Sequence, residues 1–539
     1  MGVSLYKAAQ VKNIDRCTIE QCGVDGYGLM VQAGEAAFSS LLSRWPNVRQ
    51  LIVLCGGGNN GGDGLVIARL AVQHDIAVKL VLTSDPDALK GEAKQAADDA
   101  LQAGLQVIAP ADIQWTDPEF HSSEIVVVDA LLGTGLNSDV SEPYTGLISQ
   151  ANDSNLPILA VDVPSGLNAS TGAIQGCSIK AAATITMIEY KQGLFTGSGP
   201  VVCGEISLAQ LNLPQQARES EAPIASLESW KEIQNFAAFG PRQLDSHKGH
   251  FGHVMIVGGD LGCGGAISLA AGAALKSGAG LVSVATRPEH VPAVLARYPE
   301  AMVHGVQSGQ DLQTLLDRAD VIVIGPGLGQ SYWGEQLLQQ VMATHVPVLL
   351  DADALNILAK GRISHNLAER ISVITPHPGE AARLLKSNGA VVQAGRFKAA
   401  KNLSKKLSSS VVLKGVGSLI STRDMEPDEA ELQATPDIKP DDLKPETLTS
   451  ICQDGNAGMA SGGMGDVLSG IMGSLMAQRL NPHIDDAHFA NEATFNQALH
   501  DLVVSGVCLH SAAADLAAKE GQAGMLASDV IESIRYLLK

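Results

Sequence analysis

Short apolar runs alternate with glycine-rich turns and amphipathic stretches along most of the chain. Residues 1–50 read as helical, with Asn13 placed as a cap and Val31, Ala36, Ala37, Phe38, Leu41 and Leu42 at helical spacing. The run LIVL at 51–54 then stops at CGGGNNGGDG and gives way to LVIARLA, which is the pattern of a buried strand, a tight turn and a helix. Apolar runs recur at 78–82, 125–128, 158–161 and 183–188. Such alternation predicts a parallel sheet covered by helices on both faces. Ligands of such sheets collect at the carboxyl ends of the strands.

From 212 to 245 the texture becomes polar and proline-bearing, which predicts a linker. A second series begins at Phe251, with runs at 254–257, 281–285, 321–324, 348–350, 373–374 and 411–413, each entering a glycine- or proline-containing turn. The expected fold class is therefore α/β, built as two three-layer α/β/α domains. They are assigned to 1–213 and 246–539, joined by a linker at 214–245. The acidic, proline-rich and aperiodic stretch at 423–449 is expected to be a mobile surface insertion.

Composition narrows the classes. A chain of 539 residues with 45% hydrophobic and 17% charged residues is an ordinary globular composition. A formal charge of -20 argues against a general nucleic-acid or anionic-membrane binder. The eight cysteines show no C-x-x-C spacing, and the first sixteen residues lack a signal-peptide core, so a cytoplasmic location is expected. The small-residue stretch at 266–286 is mildly membrane-like, but Lys276 and its glycines favour a buried helix and strand.

The densest chemistry lies at 454–470, DGNAGMASGGMGDVLSG, with six glycines and Asp466 just ahead of an apolar run. A glycine loop feeding a helix start presents unpaired N–H groups and the positive end of a dipole, which suit phosphate. An ionised Asp466 there can take a proton from a hydroxyl. GPGLG at 325–329 and DADALN at 351–356 sit at successive strand ends, where a plain turn or cap remains the alternative. His377 lies between two prolines after a strand, and Lys414 follows a buried strand. In the first half, NNGGDG at 59–64 exceeds what a turn needs, yet matches neither GxGxxG nor GxxxxGK[ST]. Asp129, Asp162, Ser165 and Lys191 fall at strand ends. Asn60, Asp129 and Ser165 offer hard oxygens suited to a cation such as K⁺.

NNGGDG, VVVDALLGTGL and VDVPSGLN together resemble the NAD(P)H-hydrate epimerase family, whose domain is Rossmann-like. GPGLG, DADALN, TPHPGE, LKGVG and NAGMASGGMGDVLSG resemble the NAD(P)H-hydrate dehydratases, a branch of the ribokinase-like fold. The resemblance implies epimerisation of R- and S-NADHX and NADPHX, then dehydration of the S form with ADP, releasing AMP and phosphate. It implies Asp466 as the base of the ribokinase-like GxGD motif, with the amides of Gly462, Gly463 and Gly465 on the phosphoryl group. By the same carry-over, Ala266, Gly327, His377 and Asp466 would contact the hydrated nucleotide. Lys414, Gly415, Val416, Gly417, Ser418 and Gly465 would contact the adenine nucleotide with its Mg²⁺. In the epimerase half, Asn60, Asp129 and Ser165 match K⁺ ligands. Asn59, Asn60, Gly61, Gly62, Asp63, Gly133, Thr134, Gly135, Leu136, Asn137 and Asp162 match substrate contacts, and Asp162 and Lys191 are the acid–base candidates. No nucleic-acid or membrane partner is expected, and a homo-oligomer is. The alternatives are a ribokinase-like small-molecule kinase and a first half that binds nucleotide without catalysis.

Overall fold

The computed structural model describes residues 2–113, 115, 124–234, 242–422, 448–480 and 492–538. Contacts divide the chain into one unit of Ser4–Ala225 and another of Met1–Val3 with Ser226–Lys539. The stretch 214–245, expected as a linker, carries a helical turn at Gln215–Arg218, a strand at Ala225–Glu228 and a helical turn at Trp230–Ile233. Of the expected insertion at 423–449, all but the last two residues lie outside the described residues.

In the first unit seven strands form a sheet: β1 Gln50–Cys55, β2 Ala77–Leu82, β3 Val107–Ile108, β4 Ile125–Ala130, β5 Ile158–Val161, β6 Ala183–Met187 and β7 Glu205–Ala209. Their order is β3-β2-β1-β4-β5-β6-β7, and every pairing is parallel. Side chains alternate across it. Val53 and Val128 enter one core and Ile52, Leu54 and Val127 the other, all fully buried. Two buried faces make three layers, as the continuous apolar runs predict. Helices α1 Ala8–Glu20 and α2 Gly26–Arg44 precede the sheet. The first helix starts at Ala8, so Asn13 stands inside it; the residue expected as a cap instead donates its amide to Glu221. The chain reverses its direction of strand addition between β1 and β4, where Gly56 packs so closely on Leu131 that a Cβ would lie 1.9 Å from its carbonyl oxygen.

In the second unit the strands are β8 Ala225–Glu228, β9 His253–Val257, β10 Leu281–Thr286, β11 Met302–Gly305, β12 Val321–Ile324, β13 Val348–Leu350, β14 Ser372–Ile374, β15 Ser410–Leu413, β16 Ser418–Ser421 and β17 Thr449–Cys452. They run β8-β17-β16-β15-β14-β13-β12-β9-β10-β11. The sheet is parallel from β11 to β15, while β16 is antiparallel to both its neighbours. Val254 and Ile256 face one core, Met255 and Val257 the other. The switch of direction falls between β9 and β12, above which GPGLG begins.

The small-residue stretch at 266–286 becomes helix α6 Gly264–Lys276 and β10. One described helix, Glu492–Ala517, is long and apolar enough for a membrane span, but it buries Val503, Leu509, Ala513 and Ala514 in the core.

Candidate functional site

In the second unit Gly463, at φ 91, sits in the left-handed region and starts helix α7, Met464–Arg479. A side chain there would be strained, and a Cβ would also strike Leu269 at 2.5 Å. The first turn points its amides out of the loop, and Asp466 lies within it. Helix α6 packs against α7 so closely that a Cβ on Gly470 would lie 2.2 Å from the Ala270 carbonyl. Ala266 and Asp466 each stand one turn before that contact. Ala266 also meets Gly327, whose added Cβ would lie 3.1 Å from the Ala266 Cβ. Gly327 has φ 56, which a side chain would adopt only with strain.

Asp466 departs from expectation. Burial raises its pKa, Asp351 raises it further, and Lys414 only partly offsets them, leaving it at about 7. It is therefore not the plainly ionised carboxylate expected from sequence, despite its place in a helix first turn. Lys414 donates to Asp351 Oδ1 at 2.6 Å, and Ser469 donates to Oδ2 at 2.9 Å. Burial pulls Lys414 down, but Asp351 and Glu380 outweigh it and hold the ammonium charged. Gly465 faces this pair: a Cβ there would stand 3.3 Å from Lys414 Nζ and 3.4 Å from Asp351 Oδ2.

Asp351, first residue of DADALN, occupies an N-cap position, yet its carboxylate makes no cap bond and is committed to Lys414 and Ser469. His377 does cap: its Nδ1 accepts from Gly379 N at 2.9 Å, opening the helix Pro378–Leu384. Its Nε2 lies 3.4 Å from Glu380 Oε1, and burial together with Lys414 keeps its pKa low. The chain thus brings His377, Lys414, Gly465 and Asp466 together around Asp351 and Glu380, neither of which was assigned from sequence.

The loop of Lys414, Gly415, Val416, Gly417 and Ser418 is held from beneath by Arg396, a fully buried guanidinium. It donates to the carbonyls of Leu413 at 3.1 Å and Gly417 at 3.3 Å, and to Gln393 Oε1 at 2.9 Å. Ser418 closes the loop by donating to Gly415 O at 3.1 Å. Nothing in the run GRFKAAK marks Arg396 as special. By contrast, the expected start of the loop, Asp454, accepts from Trp230 N at 2.6 Å and belongs to the packing behind the site.

In the first unit Asn59, Asn60, Gly61, Gly62 and Asp63 form the opening of helix α3, Asn59–Gln73, directly after β1. Gly61 is buried so tightly that a Cβ would lie 1.9 Å from the Gly56 carbonyl. Asn60 has both side-chain polar atoms buried without a partner. It abuts Gly133, the head of the loop through Thr134, Gly135, Leu136 and Asn137, where a Cβ would come 3.2 Å from the Asn60 Cβ. Leu136 O accepts from Asn168 Nδ2 at 3.3 Å. Asp129, at the end of β4, is fully buried. It accepts from Ser165 N at 2.8 Å through Oδ2 and from Ser165 Oγ at 2.5 Å through Oδ1. Burial pushes its carboxyl up to about 6, against the pull of those bonds. The orphaned buried amide oxygen of Asn60, the carboxylate of Asp129 and the hydroxyl of Ser165 are hard oxygens of the kind that suit K⁺.

Asp162 follows β5 at φ 66, rare for a residue with a side chain and a mark of a built site. Its Oδ1 accepts from Lys191 Nζ, from Thr186 Oγ1 at 3.2 Å and from Met187 N at 3.0 Å. Lys191 is 1% exposed, and its other two N–H groups go to Thr186 Oγ1 at 3.0 Å and Met187 O at 2.6 Å. Asp63 lies near this pair. Burial raises its carboxyl pKa well above the usual range, and Asp162 and Asp15 add to the shift. Asp15, on α1, was not marked by sequence; burial and Asp162 raise its pKa as well.

Two family models match the chain. Residues 26–193 match the YjeF-related protein N-terminus, and residues 254–431 with 443–535 match NAD(P)H-hydrate dehydratase. The chain is 43% identical to the bifunctional NAD(P)H-hydrate repair enzyme Nnr of Coxiella burnetii over 99% of both chains. It is 41% identical to the enzyme of that name from Escherichia coli, over 99% of this chain and 94% of that one. Among solved structures, a ribokinase-like superfamily protein from Enterococcus faecalis aligns at 27% identity. The match covers 58% of this chain and 94% of that one, with a TM-score of 0.46.

Proposed function

The chain belongs to the bifunctional NAD(P)H-hydrate repair enzymes, and from that membership we propose how its two sites divide the repair. The protein is an epimerase and a dehydratase of NAD(P)HX. The observation that supports the chemistry best is the placement of Asp466: a half-buried carboxyl, with a pKa near neutrality, in the first turn of a helix whose amides are free.

Hydroxide is a poor leaving group, so dehydration needs activation. Asp466 takes the proton of the ring hydroxyl. The oxygen attacks the terminal phosphorus of ADP, and AMP leaves. The ring-nitrogen lone pair then expels phosphate, and loss of a proton from the adjacent ring carbon gives NAD(P)H. The amides of Gly463 and Gly465 and the ammonium of Lys414 stabilise the transferring phosphoryl group. The site Ala266–Gly327–His377 takes the damaged nucleotide, and the loop Lys414–Ser418 over Arg396 takes the adenine nucleotide. Asp351 is committed to holding Lys414 and Ser469 in place, and a Mg²⁺ carried in with the nucleotide would supply further positive charge to the transferring phosphoryl group.

In the epimerase unit Asn60, Asp129 and Ser165 are the residues that would hold K⁺, which would supply a positive charge to the site. Lys191 has all its N–H groups occupied, so it orients Asp162 rather than donating to the substrate. The second oxygen of Asp162 is left to take and return the proton of the ring hydroxyl, with Asn59–Asp63 and Gly133–Asn137 holding the nucleotide. A cytoplasmic setting agrees with eight cysteines that form no disulfide.

The test is incubation with R- and S-NADHX and ADP. Reduced-nicotinamide absorbance should recover from both epimers, with AMP and phosphate formed in equal amounts. Recovery from neither epimer would sink the repair reading, and persistence of the R form alone would remove the epimerase.

A further inference from the structure

Behind the dehydratase loop, two cysteines far apart in sequence meet. Cys452 ends β17, and Cys508 lies on the helix Glu492–Ala517. Cys452 is 1% exposed and Cys508 is fully buried. Asp454 is two residues beyond Cys452, and the two thiol sulfurs and a carboxylate oxygen all lie within 4.8 Å of one another. We propose that Cys452, Cys508 and Asp454 form a binding site for one divalent transition-metal ion of the Zn²⁺ class, which ties the root of the phosphoryl-transfer loop to the helix behind it.

Two arguments favour a cation over a chance meeting of small buried side chains. The donor set, two sulfurs and one carboxylate oxygen, suits a borderline-soft ion, and three ligands within a few ångströms of one another need little movement to reach a tetrahedral edge. The fourth position would be filled by water on the side where Asp454 is partly exposed. Finally, Asp454 is already oriented, because Trp230 N donates to its Oδ2 at 2.6 Å. That leaves Oδ1 for the ion. Binding would convert both thiols to thiolates and release two protons to solvent.

The experiment uses the full chain, reduced and freed of metal, titrated with Co²⁺ and then Zn²⁺. One Co²⁺ per chain should give a thiolate-to-cobalt charge-transfer band, which Zn²⁺ bleaches. Zn²⁺ should also protect two of the eight cysteines from alkylation, and peptide mapping should identify them as Cys452 and Cys508. Cys452→Ser and Cys508→Ser should each lose the band, and Cys177→Ser should keep it. Zn²⁺ should raise the unfolding temperature of the wild type and not of Cys452→Ser. The absence of a thiolate band, its survival in both serine variants, or protection of other cysteines would overturn the site. So would isolation of Cys452 and Cys508 as a disulfide that forms regardless of metal. If a serine variant fails to fold, the alkylation map of the wild type decides alone. None of these readouts depends on NAD(P)HX turnover.

Discussion

Asp351 and Lys414 are 63 residues apart in sequence, yet their side chains meet at 2.6 Å beneath Gly465. The pair sets the charge on both sides of the phosphoryl-transfer site. Asp351 keeps Lys414 charged, and it adds to the burial that raises Asp466 toward neutrality, a rise that Lys414 only partly offsets. Asp351→Asn should therefore do two things. It should cut kcat/KM for ADP by on the order of 10²-fold, because Lys414 loses its fixed position. It should also move the acid limb of the dehydration pH profile to lower pH, because one negative neighbour of Asp466 is gone. Steady-state kinetics across pH measures both. An unchanged limb would deny that Asp351 acts on Asp466.

Asp466→Asn should reduce dehydration by roughly 10³-fold or more while leaving interconversion of R- and S-NADHX intact. Loss of both would contradict separate sites. In the wild type the base must be ionised, so kcat should fall about tenfold per pH unit well below its pKa of about 7 and level off above it. The sign for stability is the reverse. A carboxyl whose pKa is raised on folding binds its proton more tightly in the folded state. Its contribution to folding is then lost as pH climbs from about 4 toward 7. Asp466→Asn should accordingly melt above the wild type at pH 8, and calorimetry at pH 5 and pH 8 checks the crossover.

Arg396 donates to the Leu413 and Gly417 carbonyls from inside the fold. Arg396→Met should strand those acceptors and destabilise the protein by about 2–4 kcal/mol, read from denaturant unfolding. The KM for ADP should rise more than kcat falls, since the loop loses its floor and not its chemistry. Arg396→Lys should recover only part of the loss, because an ammonium cannot span the same carbonyls.

Asn60→Ala and Asp129→Asn should each remove K⁺ activation of epimerisation, leaving a rate that is the same in K⁺ and in a large organic cation. The R-to-S rate in the two salts, at constant ionic strength, is the measurement. Dehydration of S-NADHX should be unaffected in either variant.

The βα units could be read from the sequence because both faces of each sheet are buried, which makes strands such as 51–54 and 321–324 continuous apolar runs. Their order could not, since it depends on which strand adds beside which. The antiparallel β16, between β15 and β17, also left no mark in the apolar pattern. Asn13 misled because its side chain is a good cap in isolation, while the helix had already begun at Ala8. Candidate residues with a local signature were legible: Asp466 in its glycine loop, and Asn60 after β1. Those whose role comes from a distant partner were not. Asp351 looked like a cap until Lys414 and Ser469 claimed both its oxygens, and Arg396 acts through carbonyls a turn of sheet away.

The orphaned amide of Asn60 has a further consequence. A buried polar group without a partner weakens the folded state by about 1–3 kcal/mol, so the proposed K⁺, by taking the amide oxygen, would be a folding ligand as well. The unfolded chain has no such site, and stability should grow with the logarithm of K⁺ concentration once the ion exceeds its dissociation constant. The first unit would then be robust in potassium-rich surroundings and soften in sodium buffers. Its melting temperature would report the salt in which it was prepared as much as the sequence that encodes it.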